Sequence, residues 1–201
     1  MSTLSRRSFL RSSALVGATA LTACTVTTTN GVTTITLDVT TVKNYGQAGL
    51  NAAATVTSFL SSFPALAPYA LAITAAETAL SGALSAFSSA AGSTLTISYN
   101  DATWKTRVDS ILSDLDTLAA AIESALSGSG AVLSSSVLSN ARTAYSALAT
   151  LISVFKALLG VSDAKAPVGS RMHLTRDMVL VGAPVPATGM TEAQALRALG
   201  V

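Results

Sequence analysis

The chain has 201 residues, half of them hydrophobic and 11% charged, a balance that excludes an intrinsically disordered protein. Twelve Lys and Arg against ten Asp and Glu leave no strong basic face for nucleic acid. A single cysteine and a single histidine exclude an internal disulfide framework, CxxC motifs and His-rich metal sites.

The first element in chain order is an export signal over residues 1–23. A basic stretch, Ser5-Arg6-Arg7-Ser8-Phe9-Leu10-Arg11, precedes a weakly apolar run from Ala14 to Ala23 that is interrupted by Gly17, Thr19 and Thr22. The run falls well short of the ~20 residues a spanning helix needs. The segment resembles a twin-arginine translocation signal, in which Ser5, Arg6, Arg7, Phe9 and Leu10 match and Arg11 keeps the charge of the final lysine. Leu21-Thr22-Ala23-Cys24 resembles the lipobox of bacterial lipoproteins. That resemblance implies diacylglyceration of the Cys24 sulfur and cleavage before it, so that the membrane is a partner through lipidated Cys24. Thr25 in place of an aspartate favours the outer membrane on the same resemblance. A competing A-x-A site, Ala18-Thr19-Ala20, would instead release a soluble periplasmic protein beginning near Leu21. Loss of Arg6, Arg7 and Arg11 leaves nine basic residues against ten acidic ones, a net charge of −1. The mature chain therefore has no electrostatic preference for anionic partners.

Residues 24–38 combine the lipidated terminus with two β-branched, Thr-rich runs around Asn30-Gly31. Both turn residues tolerate positive φ, which predicts a β-hairpin with Thr29 opposite Val32 and Val26 opposite Ile35; a Thr-rich tether is the alternative. The alternating run Thr94–Tyr99, with Leu95, Ile97 and Tyr99 on one face, is a candidate third strand.

Over residues 39–160 apolar and small residues recur at spacings of three and four in four stretches. The seams run from Val42 to Phe63, from Leu66 to Phe87, from Trp104 to Ala125 and from Leu138 to Leu159. Pro64, Pro68, Gly92-Ser93 and Ser127-Gly128-Ser129-Gly130 separate them, and Asn100 or Asp101 is placed to cap the third. Short connections predict a mainly α fold, an up-down antiparallel four-helix bundle preceded by the hairpin and followed by an irregular C-terminal arm. With so many Ala and Gly positions, much of the core should depend on Trp104, Phe59, Phe63, Phe87 and Phe155.

The arm, residues 161–201, holds Pro167, Pro184, Pro186 and a strand-like run at Met178–Val181. It closes on the capping-box pattern Thr191–Gln194, with Leu196 and Leu199 on one face and Gly200 as a stop, which predicts a short docked helix.

Candidate chemistry is sparse. Asp109, Asp116 and Glu123 recur every seven residues and read as a solvated acidic line, with Arg142 and Lys156 as cross-helix partners. His173, Met172 and Met178 suggest a soft metal only as a chance cluster. No Glu-x-x-His pair, Gly-x-Ser-x-Gly elbow or phosphate loop is present, so the sequence predicts no cofactor, no metal and no catalysis. The expected protein is an exported, non-catalytic, lipid-anchored envelope component on the periplasmic face, with another envelope protein as the natural partner. Two alternatives are a membrane-inserting helical protein, since few charges occur between Lys43 and Asp101, and a small-ligand binder using the bundle core.

Overall fold

The computed structural model describes residues 24–29, 32–129, 132–161 and 190–201. Over these the chain is mainly helical, with a short three-stranded antiparallel sheet on its N-terminal side. Strands β1 (Cys24–Thr29) and β2 (Val32–Asp38) pair Thr29 with Val32, Thr28 with Thr33 and Val26 with Ile35, the register a two-residue connection sets. The connecting Asn30 and Gly31 lie outside the described residues. Strand β3 (Thr96–Ser98) joins the other edge of β2 with Ile97 beside Leu37. Beyond β3 a side chain continues the ladder. Asn100 accepts from the Ile35 N–H at 2.8 Å and donates to the Thr33 carbonyl at 3.0 Å. Leu95 departs from the expected inward face: it precedes the first paired residue of β3 and is 76% exposed, whereas Ile97 and Tyr99 are buried. Alternation directs side chains only inside a paired strand.

The helices are α1 (Val39–Leu60), α2 (Ala67–Ala91), α3 (Ala102–Gly128), α4 (Ser135–Leu158) and α5 (Glu192–Ala198). Four of the five starts have a local cause, while Ser134 precedes α4 without a side-chain cap. The Asp38 carboxylate accepts from the Thr41 N–H at 2.9 Å, so the last residue of β2 also caps α1. Asp101 caps α3 by accepting from the Thr103 and Trp104 N–H groups at 2.9 and 3.2 Å, while the neighbouring Asn100 serves the sheet. Pro64 opens a single 3-10 turn and Pro68 sits in the first turn of α2, where no N–H is required. Gly92, at φ 54°, closes α2. Thr191 and Gln194 form a reciprocal capping box on α5, with bonds of 3.3 and 2.9 Å.

One hydrophobic core runs through the helices. α1 packs on α2, α3 and α4, α2 on α3, and α3 on α4, while α5 lies against α4 and α1. The α3 seam is buried throughout from Val108 to Ala125, at Val108, Ile111, Leu115, Leu118, Ile122 and Ala125. Gly49 lets three helices meet: a Cβ there would lie 2.8 Å from Leu80 Cδ2 and closer still to Leu115 Cδ2. The aromatic contribution differs from expectation. Trp104, Phe59 and Phe63 are only partly buried and pack against the core from its margin. The interior rings are Tyr45, Phe87 and Phe155, with Tyr45 and Phe155 at a centroid distance of 5.1 Å. Trp104 packs edge-on against Phe87 at 5.8 Å. Helix α3 also runs through Ser127 to Gly128, further than the Ser-Gly run suggests, and Tyr69 occupies the space a Cβ at 128 would need.

Candidate functional site

Cys24 is the first residue of the edge strand β1 and pairs with Leu37. The other export and lipobox positions, Ser5, Arg6, Arg7, Phe9, Leu10, Leu21, Thr22 and Ala23, lie outside the described residues. So do Met172, His173 and Met178, together with Pro167, Pro184, Pro186 and the run to Val181.

The acidic line is less solvated than its sequence suggests. Asp109, Asp116 and Glu123 are each half-buried, and each meets a polar partner on a packed neighbour. Tyr99 donates its hydroxyl to Asp109 at 2.5 Å, and Lys156 on α4 pairs with Asp116 at 3.1 Å. Burial, and then the Glu123 carboxylate, raises the Tyr145 phenol above its usual range. Burial, followed by the Asp109 carboxylate, likewise raises the Tyr99 phenol. Arg142 is exposed. The line is therefore a seam between elements: each carboxylate uses a hydroxyl or ammonium contributed by another part of the chain, or by the preceding turn, as Lys105 does for Asp109.

A concave surface lies between α2 and α3. It is a groove of about 550 Å³, within the size range of small-ligand sites. Three alanines, Ala83, Ala86 and Ala102, leave it open, and Thr103, Thr106, Ser110 and Arg107 supply its polar groups. Arg107 is its one charged lining residue; it reaches across to donate from Nη1 to the Ala86 carbonyl at 3.2 Å. Its Nε is shielded and lacks a hydrogen-bond partner within the protein. The Thr106 hydroxyl donates back to the Ala102 carbonyl at 2.8 Å. The lining contains no carboxylate, histidine or cysteine. Such a surface can hold an anionic or amphiphilic group through Arg107, but it offers no acid–base pair. Among the described residues no three His, Cys, Asp or Glu side chains converge as a metal site would require.

Sequence reasoning missed this groove, because it is made by small side chains on one helix facing an arginine on another. The available signal was faint: an uncompensated Arg107 one turn into a helix that follows an alanine-rich one. The chain matches no protein-family model, and no curated protein or solved structure is significantly similar to it.

Proposed function

We propose that this chain is the precursor of a lipid-anchored, non-catalytic cell-envelope protein of structural or interaction type. It is exported through a twin-arginine signal, and its helices form an up-down antiparallel four-helix bundle held at the periplasmic face of a bacterial membrane. The position of Cys24 carries the reading. The sole cysteine ends the lipobox-like run and is also the first residue of β1. Processing before it leaves all three described strands and all five described helices whole. The bundle topology is supported by contacts between successive long helices and by the closing contact of α1 with α4.

Cys24→Ser tests the anchor. The acyl chains would be the stable attachment, so the variant should move from the membrane fraction to the soluble periplasm, and the mass increment of acylation should vanish from the N-terminal peptide. Wild-type protein with an unmodified Cys24 thiol would overturn the reading.

A further inference from the structure

We infer that the solvent-facing side of α2 is a membrane-docking face, on which the folded domain lies flat against a phospholipid bilayer; this rests on the reading of Cys24 as the lipid anchor. Pro64–Ala91 is long and apolar enough to cross a membrane, with a mean hydropathy of 1.4 in its best window. A core helix of that character would be covered by protein, yet only 22% of this window is buried. α1 and α3 cover one side, at Ile73, Ala76, Leu80 and Phe87. The other side presents Leu71 (71% exposed), Ala72, Ala75, Ala79, Gly82 and Ala86, interspersed with exposed threonines and serines.

The chemistry of that side fits lipid better than protein. Glu77 is the one charged residue in α2, and it is half-buried, so the face offers no charge pattern for a protein partner to match. Its threonines have already satisfied their hydroxyls: Thr74 donates to the Ala70 carbonyl at 2.9 Å and Thr78 to the Thr74 carbonyl at 2.8 Å. Leaving water therefore strands neither of those donors, the requirement that lipid imposes most strictly. Arg107 holds a positive charge at the edge of the face, against Ala86, where headgroup phosphates would lie.

Position relative to the anchor agrees. Cys24 pairs with Leu37, which pairs with Ile97, so Cys24 and Ile97 are roughly 10 Å apart across two strand spacings. Leu95, 76% exposed, lies two residues before Ile97 and four after Ala91, the last residue of α2. Acyl chains on Cys24 thus put the bilayer beside the C-terminal end of α2. With 25 residues, the helix extends from there by roughly 37 Å. A second contact along it would fix the domain's orientation, which a lipid alone leaves free.

The test reads proximity to lipid at two positions on the full chain, purified from bacterial membranes and reconstituted into phosphatidylcholine vesicles. A fluorophore is attached through Ala79→Cys on α2 or Thr143→Cys on the exposed side of α4, and quenched by lipids carrying a nitroxide on the upper acyl chain. Acylation of Cys24 is read separately, from the mass of the N-terminal peptide, and where the thiol is found free the labelling is repeated on Cys24→Ser. The Ala79 label should be quenched several-fold more than the Thr143 label, with an unchanged helical signal; Ser85→Cys replaces Ala79→Cys if that variant does not fold. Equal quenching in an acylated protein overturns the docking face while the anchor stands. Strong quenching at Ala79 without acylation removes the anchor and keeps the face. An Ala79 label shielded before reconstitution in a chain that runs as a dimer assigns the face to a second copy and overturns the proposal.

Discussion

At the scale of single residues, polar groups here are placed by what they touch across elements. Asp114 illustrates the cost of a carboxylate that packing has partly removed from water: burial raises its pKa above the usual carboxylate range. The folded state then holds its proton more tightly than the unfolded chain does. Ionisation of Asp114 therefore works against folding at every pH above the unfolded value, near about pH 4, and the penalty disappears below it. Asp114→Asn should raise the melting temperature at neutral pH and leave it unchanged under acid conditions where both forms are neutral. Thermal melts of the two proteins across that range check the sign. An increase of equal size at all pH values would trace the effect to packing rather than to charge.

At the scale of elements, glycine exposes the difference between a helix that is crowded and one that is open. Gly49 in α1 and Gly82 in α2 are both helical, and alanine is intrinsically the better helix former by about 1 kcal/mol. A Cβ at position 82 would meet nothing within 4 Å, so Gly82→Ala should stabilise by most of that amount. At position 49 the same atom collides with two leucine ends, Leu80 and Leu115, which are themselves fully buried. Overpacking of this kind costs ~1–3 kcal/mol and outweighs the propensity gain, so Gly49→Ala should destabilise. Denaturant melts of the two variants should move in opposite directions. The same contrast shows what the sequence could reveal. The seams of α1 to α4 were legible because a core-facing stripe repeats at three and four residues whatever it packs against. Trp104, Phe59 and Phe63 misled because seam membership does not say how completely the neighbouring elements cover a large side chain. Leu112, Leu126 and Leu151 are buried outside their seams because those helices have more than one packed neighbour, a property of the assembly. The groove around Arg107 was illegible for the same reason: it exists only between two helices.

At the scale of the whole molecule, the C-terminal helix ties the end of the chain to its beginning. Tyr45 on α1 donates its hydroxyl to Glu192 at 2.6 Å, and Asn51 Nδ2 donates to the Leu199 carbonyl at 2.7 Å, across 147 and 148 residues of sequence. Burial of Tyr45, and then the carboxylate of Glu192 beside it, drives the phenol pKa strongly upward, so the hydroxyl remains a donor at any physiological pH. Ala195 and Leu199 are buried as well, with α5 packed chiefly on α4. The sequence announced α5 through its capping box and its Leu196–Leu199 face, but nothing local to residues 190–201 names α4 and α1 as its dock. Deleting residues 190–201 removes both hydrogen bonds and the burial of Ala195 and Leu199, so a lower midpoint is expected, with the helical transition still cooperative. The Tyr45 hydroxyl supplies the specific check. Tyr45→Phe should cost about 1 kcal/mol in the full chain, where it leaves the Glu192 carboxylate without that donor, and much less in the truncated one, where Glu192 is already gone. Equal costs in both backgrounds would mean that the Tyr45 hydroxyl contributes nothing through Glu192, and that α5 is held without this hydrogen bond.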